Sequence, residues 1–263
     1  MPSIEEKIEN IAKEQLKKCR TFTKTESVNA EIDDALKNAP SKSGGKGSNY
    51  PDIKLFLTTK SNRKIPVMIE VKGTKGDLIK TALNGEIDNS KPANIQKYAV
   101  NGAVHYADAI VKNTVSYKES VAVGVNGYED AGEIKTELGV YYVSANNFCI
   151  PKKVGDYSDL SFLYPENFES FVQKIDALSL TEEEKEAKAR DYENRIEIKL
   201  KALNQKMHDE LKISVGSRVQ LVAGLIMAAL GVDGRVSPLE ITDLKGDTGE
   251  NSNDGKIVVN KIA

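Results

Sequence analysis

The chain has 263 residues, with 40% apolar and 29% charged side chains. That is a globular balance, and it excludes collagen-like, fully disordered and membrane-embedded compositions. The formal net charge of −2, from 37 basic and 39 acidic residues, excludes a uniformly basic coat for nucleic acid. Any phosphate contact must come from a local patch.

Residues 3–20 read as an amphipathic helix, with Ile4, Ile8, Ile11, Ala12 and Leu16 at three- and four-residue spacing. Ser3 and Glu6 are placed as a capping box. A second helix is expected over 26–38. The stretch 40–49, rich in Gly, Ser and Lys, reads as a loop. Its Gly44–Gly47 segment lacks the spacing of a phosphate-binding Walker loop. Two strand-like runs follow, 52–58 and 65–72, joined by a polar turn and suited to an antiparallel hairpin. Residues 73–91 are polar and loop-like. Pro92 favours the first turn of a helix over 93–112.

Further strands are expected at 121–125 and 140–144, and a helix at 166–178. Beyond it, 182–211 is rich in Glu, Lys, Ala and Leu, with an apolar stripe of Ile196, Leu200, Leu203, Met207 and Leu211. The run 215–230 is a more apolar helix, too short to span a bilayer; it must pack on the preceding helix or on further domains. No internal repeat is visible. The expected class is α/β: a mixed central sheet flanked by helices over 1–178, followed by an α-helical segment over 179–263. Two cysteines, Cys19 and Cys149, fit a reducing, cytoplasmic setting. The opening residues carry no apolar segment, so neither a signal peptide nor a membrane partner is expected.

Side-chain alternation in the hairpin carries the chemistry. In the second strand Val67, Ile69 and Val71 share one face, and Met68, Glu70 and Lys72 the other. In the first, Ile53, Leu55 and Leu57 pack one way while Asp52 and Lys54 point the other. Pairing brings Asp52 beside Glu70, with Lys72 aimed at the same volume. Two carboxylates, the Val71 carbonyl and waters suit Mg²⁺, with Mn²⁺ as a substitute. Lys72 supplies a point charge for the attacking water or the phosphate. The grouping suits metal-assisted phosphodiester hydrolysis.

Pro51-Asp52 followed by Glu70-Val71-Lys72 resembles the PD-(D/E)xK motif of restriction-endonuclease-like nucleases, and the order helix–strand–strand–helix–strand is similar to their core. The resemblance implies an acidic residue on the helix before the first strand, taken as Glu31 with Glu26 as runner-up. It also implies a Gln and an aromatic residue on the following helix, taken as Gln96 and Tyr98, with Gln96 orienting the site or the scissile phosphate. Residues 203–209 and 215–225 resemble the helical connector of type IIG restriction–modification enzymes. The chain then corresponds to the front of such an enzyme, its connector cut short. No Gly-rich S-adenosylmethionine loop and no Asn-Pro-Pro-aromatic motif is present.

The implied activity is Mg²⁺-dependent cleavage of double-stranded DNA, with Asp52, Glu70 and Val71 as metal ligands and Asp52, Glu70, Lys72, Glu31 and Gln96 as catalytic residues. The implied partners are DNA, a methyltransferase and specificity region outside this chain, and a second copy in a transient dimer on DNA. Two other readings stay open: a catalytically silent DNA-binding or assembly module, and a repair or junction nuclease of the same fold. Lys42, Lys46, Lys75 and Lys80 flank the site and are read as phosphate contacts. The lysines of the first helix, with Arg20 and Lys24 after it, read as a solvated face, and His105 and His208 as packing or capping residues.

Overall fold

The computed structural model describes residues 2–43, 48–210, 212–231, 238–239 and 254–262. Lys46, the glycines of 44–47, Leu211 and most of the tail after 231 lie outside the described residues. The chain divides into two compact units, Met1–Ser179 and Leu180–Ala263.

The first unit is α/β, as expected. It runs α1 (Ile4–Gln15), β1 (Thr21–Thr23), α2 (Ala30–Asn38), β2 (Ile53–Thr58), β3 (Lys64–Lys72), α3 (Pro92–Lys97), α4 (Ala99–Asn113), β4 (Glu119–Asp130), β5 (Glu133–Ser144), β6 (Lys152–Gly155) and α5 (Phe168–Asp176). The strands form one mixed sheet in sequence order. Only β3 and β4 pair in parallel; the other four ladders are antiparallel. The β3–α3/α4–β4 crossover is what a parallel pair requires.

Each sheet face has its own core. Ile53, Leu55, Val67, Ile69 and Val71 pack with Ile8 of α1, Leu16 just after it and Phe171 of α5. On the opposite face Met68 joins Ile32, Leu36, Tyr106 and Ile110 of α2 and α4, and Ala122 and Val143 join Val100, Ala103 and Ala107. The period-2 pattern therefore serves two helical layers, which is why β3 is buried along nearly its whole length.

Several bounds differ from the sequence reading. The helix expected over 93–112 breaks at Tyr98, whose extended backbone (φ −104°, ψ 132°) separates α3 from α4. The second helix starts at Ala30, where Asn29 accepts the Ile32 amide. β4 and β5 each run 12 residues, well past their apolar stretches. Within 73–91 an isolated bridge between Thr81 and Ile87 forms a small hairpin. Buried Asn101 locks it, accepting from Lys80 N and donating to Lys80 O, Asp88 O and Asn89 Oδ1.

The second unit contains α6 (Glu182–Asp209), α7 (Val215–Leu230) and α8 (Asp254–Ile262). Thr181 and Glu184 form a capping box at the start of α6. Of its apolar stripe Met207 is buried, whereas Ile196, Leu200 and Leu203 are exposed. α7 meets α6 through Arg218, which donates to the Asn204 carbonyl and Oδ1, and buries Ala228, while Val219, Leu221, Ile226, Met227 and Leu230 stay exposed, so the packing expected for that run is formed only in part among the described residues. Among them no helix is long and apolar enough to cross a membrane.

Candidate active site

Register places the first two acidic groups. Ile53 pairs with Ile69 and Lys54 with Met68, so Asp52 lies opposite Glu70 at the end of the ladder. The Asp52 carboxylate accepts the Val71 amide through Oδ2 (2.8 Å) and Lys24 Nζ through Oδ1 (3.2 Å). Glu70 is fully buried. Its Oε1 accepts from both Lys72 Nζ (2.8 Å) and Lys42 Nζ (2.6 Å). Its Oε2 is buried and has no hydrogen-bond partner among the described residues.

Lys72 also donates to the Val71 carbonyl (3.1 Å) and lies 3.7 Å from Glu5 Oε1. Burial opposes its charge, but Glu70, Glu5 and Asp52 outweigh that and hold its pKa above the ordinary lysine value. It is an ammonium at neutral pH.

Close backbone approaches seat the surrounding helices. A Cβ on Gly73 would stand 2.5 Å from Glu5 N, so the first turn of α1 lies directly on the end of β3. A Cβ on Gly102 would stand 3.0 Å from Glu70 Cγ, so α4 covers the buried carboxylate with bare backbone. A groove lined by Glu5, Glu9, Lys24, Asp52 and Thr74 opens beside Asp52.

The predicted residues separate into two groups. Asp52, Glu70, Val71 and Lys72 come together. Glu31 does not join them: its carboxylate accepts the amides of Val115 (2.6 Å) and Ser116 (2.8 Å). That loop precedes β4, at the end of the parallel pair where β3 begins, whereas Glu70 lies where β3 ends. Glu26 is committed to Thr23, accepting its amide (2.6 Å) and hydroxyl (2.7 Å). Gln96 is exposed on α3. Tyr98 ends α3 rather than sharing a helix face with Gln96.

Three residues at the site were not singled out as active-site groups. Glu5 sits on α1, a helix that precedes the first strand of the hairpin just as α2 does; spacing alone does not choose between them. Lys42 comes from the loop before β2, where its sequence setting predicts only a phosphate contact. Tyr106, fully buried on α4, donates to the Tyr50 carbonyl (3.4 Å). Burial first, then the charges of Glu70 and Asp52, push its phenol well above the ordinary tyrosine pKa. Helical periodicity in α4 assigns such a tyrosine to core, and only tertiary packing brings it to the acids.

The donor set fits a hard divalent cation. Asp52 and Glu70 offer carboxylate oxygens, Val71 a carbonyl, and the unpartnered Glu70 Oε2 a buried acceptor. Among the described residues no group of three or more His, Cys, Asp or Glu could hold a metal ion.

The mixed sheet, with helices on both faces and this carboxylate–lysine cluster at the end of β3, is an α/β architecture consistent with a restriction-endonuclease-like core. A curated relative, the "Type II restriction enzyme and methyltransferase RM.BcgI" of Heyndrickxia coagulans, is 27% identical over 245 residues, covering 92% of this chain and 34% of that protein. The chain thus spans about a third of the length of the relative it matches. No family model matches the chain, and no solved structure matches it.

Proposed function

We propose that this chain is the nuclease part of a restriction–modification enzyme, a Mg²⁺-dependent endonuclease of the PD-(D/E)xK kind that hydrolyses phosphodiester bonds of duplex DNA. The observation that carries the reading is Glu70, a buried carboxylate with one oxygen lacking a partner, set beside Asp52 and the Lys72 ammonium. The match to a restriction enzyme and methyltransferase over 92% of the chain supports it. The remaining two-thirds of such a protein agrees with a methyltransferase and specificity region as partner. A cytoplasmic location, and a transient dimer for cutting both strands, belong to the same proposal.

Asp52, Glu70 and the Val71 carbonyl would hold Mg²⁺ or Mn²⁺. The bound cation would polarise the phosphate and lower the pKa of its water. The chain's own groups do the rest. Lys72 donates to Glu70 Oε1 and to the Val71 carbonyl, which holds it beside the groups that would bind the metal. It acts as a fixed positive charge, orienting that water and stabilising the extra negative charge of the pentacovalent phosphate. Val71 fixes Asp52 through its amide, so the carboxylate is oriented before substrate arrives. Glu5 Oε1, 3.7 Å from Lys72 Nζ, places a further carboxylate beside the ammonium.

The test is cleavage of duplex DNA with Mg²⁺, alongside Mn²⁺ titration of the protein. Asp52→Asn and Glu70→Gln are expected to lose both cutting and metal binding. Lys72→Met is expected to keep metal binding and lose cutting by about 10²–10³-fold. Cleavage at the wild-type rate in Asp52→Asn would overturn the assignment.

A further inference from the structure

Lys42 reaches Glu70 from a loop built to hold it. The Lys42 amide donates to Asn49 Oδ1 (3.1 Å). Asn49 is buried, and its Nδ2 donates to the carbonyls of Leu36 (3.0 Å) and Pro40 (2.8 Å). The Pro40 carbonyl also meets His105 Nε2 at 2.8 Å. With its backbone fixed, Lys42 extends a partly exposed side chain to within 2.6 Å of Glu70 Oε1, its Nζ 5.6 Å from the centre of the Tyr106 ring.

Asp52, Glu70 and Glu5 contribute three negative charges, and Lys24, Lys42 and Lys72 three positive ones, so the cluster is neutral before any metal arrives. One oxygen of Glu70 serves two ammonium groups. Lys72 has a second anchor at the Val71 carbonyl and a carboxylate neighbour in Glu5. The ammonium of Lys42 has Glu70 as its ion-pair partner and lies nearer solvent. A divalent cation on Glu70 would stand beside Lys42 as a like charge, so the two compete for that carboxylate. A DNA phosphate supplies the anion that can receive the displaced ammonium.

We propose that Lys42 is a resident counter-cation of Glu70 that passes to a DNA backbone phosphate, so that metal and DNA each favour the other's binding. This rests on the nuclease reading above. Lys42 thereby acts as a positioning residue that discourages metal loading until duplex is in place.

The test compares wild type with Lys42→Met, which keeps the apolar stem, and Lys42→Arg, which keeps the charge. Without DNA, Lys42→Met should bind Mn²⁺ about tenfold tighter than wild type, because a like charge has been removed. Lys42→Arg should remain near wild type. With Ca²⁺ in place of Mg²⁺, Lys42→Met should bind duplex more weakly, and its slope of log affinity against log salt should flatten by about one. Duplex should raise Mn²⁺ affinity in wild type and not in Lys42→Met, since the coupling is reciprocal.

If Lys42→Met binds Mn²⁺ no tighter than a wild type whose binding depends on Glu70, this proposal falls and the nuclease reading stands. If wild type and Lys42→Met both fail to bind Mn²⁺ even with duplex present, the nuclease reading falls and takes the proposal with it.

Discussion

Glu5 and Glu31 both stand in the first turn of a helix, where a carboxylate complements the helix dipole. Their surroundings divide them. Glu31 gives its carboxylate to two amides of the loop before β4. The hydrogen bond from Ser116 leads in holding its pKa below the ordinary 4.5. A carboxylate with a depressed folded-state pKa contributes stability above its unfolded value, and that contribution is lost as pH falls through the folded one. Glu31→Ala should therefore cost about 1 kcal/mol at pH 7, a solvent-screened figure. In chemical denaturation the variant and wild type should converge as pH drops below 4.5, while DNA cutting by the variant stays at the wild-type rate. Glu5→Gln should show the reverse: little change in stability and roughly tenfold slower single-turnover cutting, from the weakened hold on Lys72. A loss of cutting confined to Glu31→Ala would return the acid's role to α2.

At the scale of elements, α4 decides where Glu70 is buried. It rests on Gly124 and Gly139, register partners in β4 and β5. A Cβ at Gly124 would stand 2.5 Å from Val100 N and one at Gly139 would crowd the Val100 side chain, so both positions admit bare backbone only. Gly124→Ala is expected to cost about 1–3 kcal/mol or more in denaturant unfolding, because a backbone atom must move. At Gly102 the crowded groups are Glu70 Cγ at 3.0 Å and the Ile95 carbonyl at 3.1 Å. Gly102→Ala should shift Glu70 by a few tenths of an ångström, slowing cutting and weakening Mn²⁺ binding with a smaller loss of stability. Equal losses of stability in the two variants would deny α4 this role.

The same elements show what could be read from the chain alone. The hairpin and its facing acids were legible because period-2 alternation and a polar turn determine which residues oppose one another. The far halves of β4 and β5 were not, since polar residues such as Asn126 and Glu137 enter strands through ladder pairing rather than through apolar patterning. β1 and β6, three and four residues long, are too short for any period to appear. Glu31 and its runner-up Glu26 were legible as acids ahead of the hairpin, but Glu5 was not singled out: α1 and α2 both precede the hairpin, and only the seating of α1 on Gly73 brings Glu5 to Lys72.

For the whole molecule, a net charge of −2 sets how duplex DNA can be held. Lysines on the first unit are largely matched by neighbouring acids: Lys13 pairs with Glu9, Lys17 with Glu14 and Lys18 with Glu166. The long α6 is tied in the same way, by Glu186–Arg190, Asp191–Arg195 and Glu197–Lys201 pairs at four-residue spacing. Around the site Lys24, Lys42 and Lys72 gather on Asp52 and Glu70, with Glu5 beside Lys72, while Lys75 is matched by Asp130. The net charge thus averages a paired body with a lysine cluster set on an acidic centre. Affinity for duplex, measured with Ca²⁺ across a salt series, should fall with a log–log slope of about −3 to −4, the signature of three or four neutralised phosphates. Lys24→Met should flatten that slope by about one and Lys17→Met should leave it unchanged, since Lys17 is spent on Glu14. A slope that responds equally to both would mean that DNA is held by the general surface and not by the rim of the carboxylate–lysine site.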